Sequence, residues 1–169
     1  PEHITLVVTD TAGADRPIGA ITGDFIFVGD VGRPDLLERA AGVSGTMEDG
    51  ARQLFRSLGR FAERFPDWLQ LWPGHGAGSA CGKALGQMPQ TTLGYERLYN
   101  WAFGIRDEHA FVEAVLAGQP DAPRYFARMK RINREGVPPL AHVRRPPRIT
   151  IEDLQAAVAA GALVLDTRP

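Results

Sequence analysis

Two stretches decide how this sequence is read: Thr22-Gly23-Asp24-Phe25-Ile26-Phe27-Val28-Gly29-Asp30-Val31-Gly32-Arg33-Pro34-Asp35 and, further on, Trp72-Pro73-Gly74-His75-Gly76-Ala77-Gly78-Ser79-Ala80-Cys81-Gly82-Lys83. In the first, the apolar runs Ile18–Thr22 and Phe25–Val28 predict two strands meeting at the turn signal Gly23-Asp24. A carboxylate at such a junction is costly to bury without a partner. Asp24 is therefore either a turn residue or a hard oxygen donor for a metal, and spacing leaves both open. In the second stretch, Leu69–Trp72 reads as a buried strand leading into a loop of small residues around His75. Loops at strand ends are where sites form, and His75 is either a hydrogen-bonding residue or a ligand.

Outward from these stretches, the pattern alternates strand and helix, which predicts a layered α/β domain. Ile4–Val8 reads as a strand. Pro34–Ala40 suits a short helix with proline in its first turn. Thr46–Phe65 has helical apolar spacing at Leu54, Leu58 and Phe61, with Thr46 placed to cap it. Helices are expected over Thr92–Phe103, Asp107–Leu116 and Pro123–Arg134, with Gly118 and Gly136 as stops. The proline- and arginine-rich segment 137–148 reads as a semi-extended linker and a domain boundary. After it, Thr150 caps an alanine-rich helix that Gly161 ends, and Ala162–Leu165 reads as a strand.

Composition narrows the function classes. The 169 residues carry a formal net charge of −1, which argues against a nucleic-acid or anionic-membrane partner recruited by bulk charge. Cys81 is the single cysteine, so no internal disulfide can form, and a reducing cytoplasm is the expected compartment. No apolar run reaches the roughly 20 residues of a membrane-spanning helix. Pro1-Glu2-His3-Ile4 has neither a basic segment nor a hydrophobic one and is not a signal peptide, and both ends read as cut.

Taken together, Gly23-Asp24, Phe27 to Asp35, Trp72 to Lys83 and Thr91-Thr92-Leu93-Gly94-Tyr95-Glu96-Arg97 with Asn100 resemble the glyoxalase II-like branch of the metallo-β-lactamase superfamily. Within that branch the chain looks most like persulfide dioxygenases fused to rhodanese domains. The likeness covers roughly residues 1 to 140. It implies an αββα fold of which this chain holds the C-terminal part, residues 1–136, followed by the linker and, over 149–169, the opening β-α-β of a rhodanese-like domain. The histidine-rich metal motif of that family is absent from these residues, so the resemblance implies a missing N-terminal half as a structural partner.

The resemblance also assigns roles. Asp24 matches the carboxylate ligand of a mononuclear Fe(II) centre; His75 matches the ligand of a second metal in dizinc hydrolases, and in the mono-iron dioxygenases a histidine that stands beside the iron without touching it. His3 is expected not to ligate. Arg33 either pairs with Asp35 or Asp30, or orients a substrate carboxylate or the loop carrying the site. Lys83 and Tyr95 are candidates for holding a glutathione-like thiol. Cys81 is either a small buried hydrophobe or a reactive thiol that handles sulfane sulfur beside the metal. Trp72, Trp68 and Phe65 are expected in the core, and His109 and His142 at the surface or in the linker.

The implied activity is iron-dependent oxidation of a small thiol persulfide to sulfite, coupled to a sulfurtransferase domain. A dizinc thioester hydrolase using two Zn2+ ions is the alternative, and an inactive fragment lacking most ligands is another. Homo-oligomerisation stays open.

Overall fold

The structure, a computed structural model, describes residues 3–41, 44–137, 139, 142 and 146–166. Along the chain lie β1 (Leu6–Val8), β2 (Gly19–Gly23), α1 (Leu36–Ala41), α2 (Met47–Arg64), β3 (Gln70–Pro73), β4 (Thr91–Thr92), α3 (Leu93–Tyr99), α4 (Trp101–Gly104), α5 (Glu108–Leu116), α6 (Phe126–Glu135) and α7 (Ile151–Ala159). Two units divide at Arg131 and Ile132.

In the first unit the strands form one sheet in the order β1-β2-β3-β4. The β2–β3 pair is parallel, and the two outer pairs are antiparallel. A parallel pair needs a crossover, and α1 and α2 occupy it. Register lines up Ala20, Leu71 and Thr91, all buried, so that face of the sheet carries the core. Alternation then puts Leu6, Ile21 and Trp72 on the other face. There Leu6 and Ile21 are 57% and 46% exposed, so the second face is apolar but open.

The core is made by an apolar stripe on α2. Ala51, Leu54, Phe55, Leu58 and Phe61 recur at three- and four-residue intervals and meet Phe111, Val112 and Val115 of α5 in one cluster with Ala20, Leu69 and Leu71. Phe55 packs on Phe111 at 5.3 Å between ring centres, and Phe61 meets Phe25 edge-on at 5.7 Å. Arg52 and Arg56 of α2 both reach Glu108 at the start of α5 and join the same pair of helices at their polar rim.

Several expectations need correction. Phe25–Val28 is not a strand: it is a buried loop with one isolated bridge, Ile26 to Val31. Phe27 N–H donates to the Asp30 carbonyl, and Gly29 sits at φ 76°, which closes a turn where a strand would have continued. Thr46 makes no side-chain cap on α2; the carboxylate of Glu38 accepts from the backbone N–H of Thr46 and Met47 instead. The single helix expected over Thr92–Phe103 breaks at Asn100 into α3 and α4. Trp68 is half exposed and Trp72 lies on the open face, so neither belongs to the core cluster.

The second unit contains α7, capped by Thr150 Oγ1, which accepts from Asp153 N–H. Its apolar residues Ile151, Leu154 and Val158 are exposed. The strand expected at Ala162–Leu165 is absent, because among the described residues no strand lies alongside to pair with it. Much of the 137–148 linker, together with Thr167 and Arg168, lies outside the described residues.

Candidate metal centre

The site is built on the turn that ends β2. Phe25 N–H donates to the Thr22 carbonyl, and the buried Thr22 hydroxyl donates to the Ile26 carbonyl at 2.7 Å. Gly23 takes φ 52° at this turn, a conformation that glycine adopts readily and a side chain rarely does. Gly32 is required for a different reason: a Cβ there would stand 2.0 Å from the Asp24 carbonyl oxygen. The outcome is that Asp24 leaves the sheet with its carboxylate half exposed.

The neighbouring parallel strand delivers the second group. Gly74 N–H donates to the Gly23 carbonyl at 2.9 Å and extends the β2–β3 alignment into the loop. This places His75 Nε2 3.1 Å from Asp24 Oδ1. The His75 ring also lies 6.1 Å from that of Phe27. The third group is Cys81: its sulfur and the donor atoms of Asp24 and His75 all lie within 4.8 Å of one another. A carboxylate, an imidazole and a thiol around one point are a donor set that fits a transition metal or zinc ion.

A buried polar framework fixes the loop that carries Cys81. Asp30 Oδ2 accepts from the backbone N–H groups of Lys83 and Ala84 at 2.8 and 2.7 Å, while Oδ1 accepts from Val31 N–H and Trp101 Nε1. Arg33 Nη1 donates to the Ala80 carbonyl at 2.6 Å, and its remaining nitrogens form a buried fork with Asp35. Asn100 donates to the Asp30 carbonyl and to Glu96 Oε2, which also accepts from Gly29 N–H. Asp30 and Arg33 thus hold the backbone on either side of Cys81. Both come from the loop that carries Asp24.

Arg33 is therefore paired with Asp35 and orients the site loop. Its side chain is fully buried and committed to Asp35 and the Ala80 carbonyl. Lys83 points away from the three donors Asp24, His75 and Cys81. Its ammonium donates to the Ala114 and Ala117 carbonyls at the end of α5 and lies 4.5 Å from the Trp101 ring centre, so it does not join the Asp24 group. Tyr95 is exposed on α3, with its ring 4.8 Å from that of Tyr99. His3 abuts Gly23 and Phe25 but stands outside the three-donor group. His109 is at the surface as expected. The role of Asp30 and Glu96 was missed by sequence reasoning. Two acidic residues within apolar surroundings were the available signal, since burial forces such groups to find donors.

A cavity of about 790 Å³ lies elsewhere, lined by residues of α2 and the α3–α4 region such as Leu58, Arg60, Phe103 and Arg106, and none of the candidate site residues borders it.

The fold matches solved metallo-β-lactamase structures, and the chain belongs to the metallo-β-lactamase superfamily. It is 49% identical to the crystallised metallo-β-lactamase from Staphylococcus aureus subsp. aureus COL, with a TM-score of 0.70, over 79% of this chain and 36% of that one. It also shares its fold with ETHE1 from Myxococcus xanthus, at 23% identity and a TM-score of 0.53, over 69% of this chain and 44% of the other. The chain thus spans about a third to under a half of the length of these relatives. No protein-family model and no curated protein matches it.

Proposed function

We propose that this chain is the carboxylate-bearing part of a non-haem iron persulfide dioxygenase, with a sulfurtransferase domain beginning after the linker. The observation that carries the reading is a thiol, Cys81, within 4.8 Å of the Asp24 and His75 donors. A group able to accept or pass on sulfane sulfur stands beside the oxygen and nitrogen donors of a metal centre.

In this reading Asp24 supplies the carboxylate of a two-histidine, one-carboxylate iron site, and its histidines come from a preceding segment. Iron(II) bound there supplies the capacity to bind and activate dioxygen. His75 holds Asp24 through its Nε2 contact and sets which carboxylate oxygen is free to ligate. Cys81 faces the same point and orients the persulfide by its terminal sulfur. In the overall reaction that sulfur takes up both atoms of dioxygen and one oxygen from water. It leaves as sulfite with two protons, and the thiol is released. Leu6, Ile21 and Trp72 support the same reading, because an open apolar sheet face is what a second sheet of an αββα sandwich would cover.

The test uses the protein extended to include the preceding segment, loaded anaerobically with Fe(II). Oxygen uptake with one sulfite formed per glutathione persulfide is expected. Thioester cleavage with two bound zinc ions, and no oxygen uptake, would establish the hydrolase instead. That second reading is favoured by one observation, the position of His75 within hydrogen-bonding distance of Asp24, which suits a second metal.

A further inference from the structure

We infer that the groove between α2 and the segment leaving α4 binds a small amphipathic anion, a carboxylate or phosphate on a short apolar chain. The groove holds about 790 Å³ and lies within the first unit, and none of Asp24, His75 and Cys81 borders it. Small-molecule pockets span about 300–1,000 Å³, so the volume suits such a ligand. Its α2 wall runs from Phe55 to Glu63, about 12 Å of helix, close to the length of an extended chain of about eight carbons with its head group.

Three features point to this occupant. The first is a missing side chain. Gly59 stands inside the 18-residue helix α2, where glycine is disfavoured against alanine, and it takes no positive φ that would call for glycine. Packing does not call for it either: a Cβ at Gly59 meets no atom within 4 Å. Phe55, Arg56, Ala62 and Glu63, three and four residues to either side, all line the groove, so a side chain at Gly59 would project into it. The glycine keeps open a space that none of the described residues fills.

The second is uncommitted charge. Four arginines, Arg56, Arg60, Arg97 and Arg106, line the groove against one acid, Glu63, in a chain whose formal net charge is −1. Arg56 is held by Glu108, and Arg97 by Asp67 and the Ala62 and Phe65 carbonyls. Arg60 has only the Ser57 hydroxyl at 3.3 Å, and Arg106 has no hydrogen-bond or ion-pair partner among the described residues. Both guanidinium forks can therefore take a carboxylate or phosphate. The third is an apolar lining beneath them: Leu58 and Ala102 are buried, and Phe103 and Ile105 are half-buried. Cationic groups over apolar surface match an anionic head on an apolar body. A second copy of this chain, docked by the same face, would instead bring its own arginines to these.

Octanoate and octyl phosphate are the probes, titrated calorimetrically into the protein extended to include the preceding segment. At least one is expected to bind one-to-one with a Kd of about 0.1–1 mM, and the tighter of the two identifies the head group. Octanol and acetate, each lacking one half of the ligand, are expected to bind at least about tenfold more weakly. The double variant Arg60→Ala with Arg106→Ala, and separately Gly59→Leu, should each weaken the tighter probe at least about tenfold and leave iron content unchanged. Gly59→Leu should not lower Tm, because leucine is the better helix former and a Cβ there meets nothing. No binding of either probe, octanol binding as tightly as octanoate, or full affinity in Gly59→Leu would overturn the inference. Self-association that Gly59→Leu removes, with neither probe bound, would give the groove to a second copy instead. None of these measurements reads persulfide oxidation, so the groove and the proposed activity are tested separately.

Discussion

Oδ2 of Asp30 accepts a 2.8 Å hydrogen bond from the backbone N–H of Lys83, a residue 53 positions later in the chain. The same oxygen accepts from Ala84, and Oδ1 accepts from Trp101 Nε1. One fully buried carboxylate thus ties the loop after Cys81 to the start of α4 and to the loop carrying Asp24. Removing it strands buried or part-buried donors. Asp30→Ala is expected to destabilise the chain by about 3 kcal/mol, a fall in Tm of about 10 °C in thermal denaturation. Asp30→Asn also destabilises, because its amide turns a donor toward the N–H groups it must accept from. An unchanged Tm in Asp30→Ala would disprove this role.

The Arg33–Asp35 pair makes a related but separable prediction. Arg33→Leu leaves the Asp35 carboxylate buried with only the half-exposed Arg39 at 3.3 Å to compensate it. A loss of about 3 kcal/mol is expected in denaturant unfolding. The double change Arg33→Leu with Asp35→Leu removes both charges and is expected to recover part of that loss. Equal stability of single and double variants would argue that the lost Ala80 contact, and not the stranded charge, is responsible.

Asp24 and Cys81 are expected to separate metal retention from sulfur chemistry. In the protein extended to include the preceding segment, Asp24→Ala should abolish iron binding, measured as metal per protein. Cys81→Ser should keep iron content while persulfide turnover falls about tenfold, a loss of about 1.4 kcal/mol of transition-state stabilisation. Iron lost from Cys81→Ser would mean that the thiol belongs to the iron site itself.

Lys83→Met separates a structural role of this side chain from a substrate-binding one. The ammonium sits on the last carbonyls of α5, where a cation is favoured by the helix dipole. A stability loss of about 1 kcal/mol is expected, with the KM for persulfide unchanged. A raised KM would return Lys83 to the substrate site.

Acid sensitivity is expected at the α2–α5 contact. The Arg56 guanidinium, through its hydrogen bonds and charge and with a smaller contribution from Arg52, holds the Glu108 carboxyl below its ordinary range. A depressed carboxyl stabilises the folded chain above its unfolded pKa, and that contribution is lost as pH falls through the lower, folded value. Glu38 behaves alike, its carboxylate held down by backbone donors at Met47, Gly45 and Thr46. Tm should therefore fall more steeply below about pH 4.5 in the wild type than in Glu108→Gln. Parallel curves would show that the ion pair contributes nothing.

How much of this was legible beforehand follows the range of each interaction. The helices α2, α5 and α7 could be read from local spacing, and α7 also from its Thr150 cap, as could the strands around Ala20 and Leu71, because those signals repeat within a few residues. The Asp24 and His75 motifs were visible as strand-end residues, and their resemblance to a family supplied the expectation that they meet. What the sequence by itself determined was thus the order of elements and the loops that carry chemistry. The tertiary structure alone decided that Phe25–Val28 is a buried loop, that Arg33 faces Asp35 and Ala80, that Lys83 points to α5, and that Cys81 completes the Asp24–His75 group. The physical reason is that buried polar groups must find partners wherever the fold brings them: Arg33 meets the Ala80 carbonyl, and Asp30 the N–H groups of Lys83 and Ala84, some fifty residues away in sequence.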